Sequence, residues 1–543
     1  MRWLLGLGCC MLVSLASLRE VPGDDLLPLE LPPEQAIDHY IDAALQNAEV
    51  SPAPVTDDAN FLRRVMLDLT GRPPTSGEAK AFIAETDAGK RTKLVDQLMG
   101  SPAFIRHQAT EFDAWLMDGT KGSIREYLDK AFREKRSWDR MFRDMIVGEP
   151  DDSRQQGAIR FVAVRAKDPD KLASDTSIAF FGVNVTCAKC HDHPLVGDWQ
   201  QDHYYGMLSF FNRTFDVGEF LGEREYGQVS FKTVEGEARE AKPMFLTGSV
   251  IDEPPCQEPD DKAKKEERKL IEELKQKKEP PPPPSYSRRA VLVETALKDE
   301  ERAFFARAIV NHIWNRFLGR GLVMPVDQMH SENPPSHPEL LAWLSRDMRT
   351  SGYDLNRLIR GIVLSQTYAR TSRWDSTQGK KRPAEEWFAV AQVRPLKPWQ
   401  YGTLLKLAAT SPDEMSTDMS CEELDRRLEE LENNGRGLGK IFDLPNADFQ
   451  VGVSEALSLS NSEKIAEELL ADNSAKLVGR LGQCSQLEEA AELAIWNVFT
   501  RPPAEGEVQM LANYLAQRAD RGVQGRRQLV WALLTSSECR FNY

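Results

Sequence analysis

The 543-residue sequence predicts a mainly α-helical protein: two helical domains with a small β-containing insert and a charged, Pro-rich linker. Three observations carry this expectation. Apolar residues recur at helical spacing between short Pro/Gly turns up to about residue 215 and again after 290. Period-two alternation is confined to a stretch between 216 and 257. Residues 258–279 then carry almost nothing but charge, and Pro280–Pro284 follow.

Residues 1–18 combine Arg2 with an apolar run, and Ser14-Leu15-Ala16 supplies small residues at the spacing of a signal-peptidase site. A signal peptide over 1–16 is expected, hence export to the periplasm or cell surface, with no membrane span beyond that segment. The helical domain over 30–215 opens near Pro33, with Ala36, Ile37, Tyr40, Ile41, Ala44 and Leu45 on one face. Residues 57–69 predict a second helix, capped by Asp57 or Asp58 and striped by Phe61, Leu62, Val65, Met66 and Leu69. Thr75 to Glu78 opens a third helix, and Leu94–Met99 belongs to a fourth. In the β unit, 216–257, strands are expected at 228–234 and 242–248. The linker, 258–289, reads as solvated and partly helical. In the C-terminal domain, 290–543, Phe304–Leu318 predicts a helix closed by Gly319, and Pro338–Met348 one capped by Ser336. Leu355–Tyr368, 462–480, 486–499 and 503–519 complete the array, which ends in the apolar run 529–534.

Composition restricts function. With 41% hydrophobic and 28% charged residues the chain can bury a core, and it is neither collagen-like nor a multi-span membrane protein. A net charge of −15 repels phosphate backbones and argues against a general nucleic-acid partner. Walker, dinucleotide, Gly-x-Ser-x-Gly and His-Glu-x-x-His motifs are absent from the sequence.

One constellation carries chemistry. Residues 186–205 read TCAKCHDHPLVGDWQQDHYY, with His191, His193 and His203 among only eight histidines in the chain. At these residue frequencies a Cys-x-x-Cys-His run arises by chance roughly 0.002 times in such a sequence. Three readings fit it. In the first, Cys187 and Cys190 form thioethers to haem c, and His191 is the proximal iron ligand. Met207, Met244 or His203 would then be candidates for the sixth ligand, and Phe180, Phe181, Val183, Val185, Leu195, Trp199, Tyr204, Tyr205, Phe210 and Phe211 for the walls. In the second, Cys187 and Cys190 with His193 (or His191) and His203 bind zinc tetrahedrally, or another transition metal. In the third, the two cysteines form a disulfide or redox pair. Asp192, Asp198 and Asp202 either orient the imidazoles or are ordinary loop carboxylates. A second polar segment, with His330, Glu332 and His337, either joins this site or is a structured turn before a helix.

The segments Phe61–Pro74, Cys187–Pro194 and Tyr204–Gly206 resemble the first of two paired domains of unknown function that abound in planctomycetes and their relatives. Asn311–Trp314, Gly319–Leu322, Pro334–Leu341, Leu364–Tyr368, Asn497–Pro503 and the end of the chain resemble the second. The pair often accompanies a cytochrome c domain, which implies an exported, redox-related setting and no assigned reaction. Asn311-His312 departs from the family's usual Asn-Arg, and Tyr543 from its usual His. The expectation is an exported protein that binds haem c or another metal through Cys187, Cys190 and His191, with a redox or electron-transfer role and a cytochrome c or cell-surface redox partner. Two alternatives stay open: a metal-dependent enzyme, hydrolytic or otherwise, acting on an extracellular polymer such as polysaccharide, and a structural cell-surface module with a zinc site or disulfide.

Overall fold

The computed structural model describes residues 26–149, 152, 155, 157–192, 196–255, 257–375, 381–415, 419–442, 444 and 462–543. The expected signal segment, His193, Leu195 and Cys256 lie outside the described residues. The fold is mainly helical, and its strands form only two-stranded antiparallel sheets. No described helix is long and apolar enough to cross a membrane.

The early helices follow their local signals. Pro33–Asn47 begins with proline in its first turn, where the missing N–H costs nothing. Asp57 caps Asp58–Thr70 by accepting from Asn60 N, and Gly71 ends it in the left-handed region at φ 77°. A Cβ on Gly71 would lie 2.5 Å from His107 Nδ1, so the glycine meets a steric as well as a conformational need. Thr75 and Glu78 form a reciprocal capping box at Ser76–Ala84. The fourth helix starts earlier than its apolar residues suggest, at Lys90–Met99.

Other boundaries move. Val229–Lys232 pairs with Ala238–Ala241 rather than with the expected strand at 242–248. The turn at Gly236, with φ 89°, folds the chain back at once and sets that register. A second hairpin, Thr214–Asp216 with Leu221–Glu223, carries no clear alternation in sequence. Ser336 does not cap Pro338–Thr350. His337 occupies that position, and Ser336 Oγ instead contacts His337 Nδ1 at 3.1 Å. Ser365 splits the expected Leu355–Tyr368 helix, because its hydroxyl accepts from Tyr368 N and starts a new turn. The 462–480 segment divides into Glu463–Leu470 and Leu477–Leu481.

Two large hydrophobic cores and a small third cluster around Leu407, Met415 and Leu428 organise the described residues. The larger draws on residues 36 to 390, with Trp496 added, and joins both sequence halves. Trp138 stacks near Phe180 from the first half and Phe305 from the second, with ring centroids 5.5 and 6.1 Å away. The smaller core is built from Leu396 to Cys539, with Leu67 reaching into it from Asp58–Thr70. The charged helix Asp261–Lys277 buries none of its residues. It lies against the Thr214–Glu223 hairpin and the residues just after it, through Glu267, which accepts from Arg224 and Tyr226, and through Lys275 beside Asp216.

Candidate functional site

The Cys-x-x-Cys-His segment is held by both halves of the chain. The helix Pro169–Phe181 ends at Gly182 with φ 65°, where a Cβ would press on Met329 Sδ at 3.1 Å. From there the main chain runs against residues 327–329. Gly182 O accepts from Met329 N at 3.0 Å, Val183 bridges Gln328, and Asn184 N donates to Asp327 O at 2.9 Å. Asn184 Oδ1 then accepts from Thr186 N, and the 3₁₀ turn Thr186–Lys189 follows. Ala188, fully buried, pins the turn to the core, while Cys187, Cys190 and His191 are exposed.

Polar contacts fix the rest of the loop. Lys189 Nζ lies 2.6 Å from Asp170 Oδ1, which also accepts from the Tyr204 hydroxyl. Burial alone would raise the Asp170 pKa, but these two donors outweigh it and hold it below the ordinary carboxylate value. Lys189 O accepts from the Tyr205 hydroxyl at 3.0 Å, and Asp192 Oδ1 accepts from Gln201 N at 2.9 Å. Asp198 accepts from Ser331 N and Oγ at 2.9 and 2.6 Å, joining this region to the second half. The described part of the loop is therefore held by hydrogen bonds along its back, with Cys187, Cys190 and His191 exposed.

His191 Nδ1 lies 2.7 Å from Asp192 O. A carbonyl oxygen can only accept, so Nδ1 carries a hydrogen, and in the neutral ring it is Nε2 that has the lone pair. Metal-ligating histidines are commonly oriented in this way. His203 has the opposite arrangement. Its Nδ1 accepts from Gln200 N at 3.2 Å and caps Gln201–Ser209, so the neutral ring carries its hydrogen on Nε2. Burial lowers its pKa, against the pull of Asp202, Asp198 and Asp192. His203 thus serves the helix start in this structure.

The two cysteines are free thiols. Among the described residues no three His, Cys, Asp or Glu side chains converge closely enough to hold a metal ion. Phe180, Phe181, Val183, Val185, Trp199, Tyr204, Phe210 and Phe211 are packed into the larger core rather than around the thiols, and Met207 is fully buried there. Asp202 pairs with Arg239 at 3.6 Å. In the second polar segment His337 is buried against Trp387 and Phe388, and burial takes its pKa down to about 4. Glu332 is exposed. Contact with the first half is made by Asp327, Gln328, Met329 and Ser331.

Residues 36–216 match the family model PSCyt2, a protein of unknown function (DUF1549), and residues 288–437 match PSD1, a protein of unknown function (DUF1553). The chain carries these two domains as a pair. No curated protein and no solved structure matches it. The Cys187–His191 loop lies in the DUF1549 segment, and the 327–331 strip that backs it lies in DUF1553.

A second polar centre joins the two domains away from this loop. Asp68 accepts from Arg394 at 3.0 and 2.7 Å, from the Tyr368 hydroxyl at 2.7 Å and from Asn542 Nδ2 at 3.0 Å. Glu111 faces Lys397 and Arg316 and accepts from Trp399 Nε1 at 3.1 Å. Burial pulls His107 and His312 down to about 3, so both are neutral, and His312 stacks on Trp115 at 3.6 Å. Arg63, Arg64 and Asp68, on the helix Asp58–Thr70, are all buried. The larger cavities lie elsewhere, one of about 820 Å³ between Asp57, Arg373, Arg501 and Tyr543.

Proposed function

We propose that this is an exported redox protein that holds haem c at its surface through Cys187, Cys190 and His191. The observation that carries the reading is the His191 tautomer: Nδ1–H is committed to Asp192 O, and Nε2 keeps its lone pair on an exposed ring beside two free thiols. Covalent attachment needs two accessible sulfurs close in the chain and a neighbouring histidine, and it does not need the convergent donors of a zinc site. The Cys187 and Cys190 sulfurs would form the thioethers, and His191 Nε2 would ligate the iron. When bound, the group supplies one-electron chemistry. The chain supplies a fixed loop, pinned by Ala188, Asp170, Gln201 and residues 327–329. Export fits this reading, because thioether attachment takes place outside the cytoplasm.

The exposure of the site suggests a partner. With the flanking aromatics committed to the core, the outer face of the group would be left for a cytochrome c or another cell-surface redox protein. The same packing favours a second reading, in which Cys187 and Cys190 cycle between dithiol and disulfide. The protein made in a host with cytochrome c maturation separates the two. The haem reading expects a haem-stained band after denaturing electrophoresis and a c-type pyridine haemochrome. Both should be lost in Cys187→Ser/Cys190→Ser, while His191→Ala should keep the stain with an altered spectrum. Colourless protein with two titratable thiols, or with a Cys187–Cys190 disulfide, rejects haem.

A further inference from the structure

Residues 53–57 leave part of their main chain unpaired. Val55 forms an isolated antiparallel bridge with Arg370, held by Thr56 N donating to Ala369 O and Thr371 N donating to Pro54 O, both at 2.8 Å. In this pattern the N–H and C=O of Val55 itself point away from Arg370. Neither has a hydrogen-bond partner among the described residues, and the Val55 side chain is 50% exposed. Unpaired main-chain donors and acceptors on an exposed extended segment are a template for one further strand.

Two hollows meet beside that edge. One, of about 520 Å³, runs along Pro52, Pro54, Val55 and Trp374. The other, of about 820 Å³, is walled by Ile83, Val393, Pro502 and Phe541. Asp57 and Arg373 border both. Most of the charge in these walls is already paired. Asp57 accepts from Asn60 N and Nδ2 at 2.9 and 2.6 Å, Asp58 pairs with Lys90 and Arg91, and Arg501 pairs with Glu507 and Glu538. Arg373 differs. Its main-chain N–H donates to Thr371 Oγ1 at 3.2 Å, but its exposed guanidinium has no hydrogen bond and no ion pair among the described residues.

We infer that this groove binds an extended acidic peptide segment of a partner protein. The segment adds as a strand along Val55, apolar side chains on it fill the hollows, and a carboxylate on it pairs with Arg373. Main-chain pairing supplies affinity, while the hollows and the guanidinium select an acidic residue flanked by large apolar ones. Val55 and Ile83 belong to the DUF1549 segment and Arg373 to DUF1553, so the peptide contacts both domains. The groove shares no residue with the Cys187–His191 loop, and the inference does not rest on the haem reading.

The test uses a displayed library of short peptides, varied over apolar residues and Thr around a central Glu or Gln, selected on the immobilised full chain. Affinities of the enriched peptides are then measured by fluorescence polarisation. The inference expects central-Glu sequences to be enriched over central-Gln ones. Arg373→Gln changes an exposed, unpaired side chain, so it should fold as the wild type and weaken binding roughly tenfold. Methylating alternate peptide nitrogens should abolish binding in one of the two phases and spare it in the other, because successive N–H groups of a strand point to opposite sides. Octanoate, with a carboxylate and an apolar tail but no peptide edge, should not compete. Absence of enrichment, unaltered affinity in Arg373→Gln, indifference to methylation in both phases, or competition by octanoate overturns the inference.

Discussion

The Cys187–His191 loop and the Asp68 centre are built on opposite principles. The loop exposes its reactive groups and spends its hydrogen bonds on its backbone and flanking residues, so that two thiols and one imidazole nitrogen are left over. The Asp68 centre buries its charged groups and spends nearly all of their capacity on one another. The difference shows that concentration of charge in a structure need not mark its reactive site. Buried charge here holds two domains and two cores together, and the groups free to react stand at the surface.

Four changes would break or sharpen this contrast. The largest effect is expected from Asp68→Ala, which strips Arg394 of its carboxylate and leaves the Tyr368 hydroxyl without its acceptor. Removing one partner of a buried pair costs roughly 3–5 kcal/mol. Urea unfolding measures the loss, and a change below about 1 kcal/mol would show that the centre does not bear on stability.

The second concerns pH. His107 and His312 titrate at about 3 in the folded chain, against an ordinary value of 6.5, mainly because of burial among Glu111, Arg316 and Lys397. Between those values the unfolded chain binds protons that the folded chain does not, so stability must fall as pH drops from about 6.5 toward 3. Glu111 is held below its ordinary 4.5 because Lys397 and Arg316 outweigh its burial, which adds a further loss on the acid side of that value. Unfolding curves from pH 7 to 4 should show the decline. His107→Gln with His312→Gln should flatten it, and an equal slope in that variant would reject the assignment.

A smaller effect is expected from Gln201→Ala. The side chain spans Lys189 O and Lys232 O at 3.4 and 3.5 Å, and one such bond is worth roughly 0.5–1.5 kcal/mol. Faster amide hydrogen exchange confined to the loop should accompany that loss, whereas unaltered exchange would show that Gln201 does not support it. The smallest effect belongs to Cys187→Ser/Cys190→Ser in protein made without cytochrome c maturation. Both sulfurs are exposed and unbonded, so stability should stay within about 0.5 kcal/mol. A larger loss would make the cysteines structural.

Sequence and structure agree where the determinants are local. Asp57, Gly71, the Thr75–Glu78 box and Gly319 mark helix ends by residue type alone, and they lie where the sequence places them. Disagreement follows competition. Ser336 was a reasonable cap, but His337 takes the position, and Ser365 breaks a periodic stretch with its own cap. The helix Asp58–Thr70 teaches most. Its apolar stripe was legible, but nothing local marks Asp68 for burial, because its partners Arg394, Tyr368 and Asn542 come some 300 to 475 residues later. For the loop, the rarity of Cys-x-x-Cys-His was enough to single out Cys187, Cys190 and His191. Local geometry was needed to distinguish His191, with its free Nε2, from His203, whose ring caps a helix.

The central claim is that the two exposed sulfurs are the attachment points of a haem. Intact-mass spectrometry of the denatured full chain, made with cytochrome c maturation, addresses it most directly. The account predicts the polypeptide mass plus one haem, reduced to the polypeptide alone in Cys187→Ser/Cys190→Ser. A wild-type mass equal to the bare polypeptide, or lower by the two hydrogens of a disulfide, would contradict it.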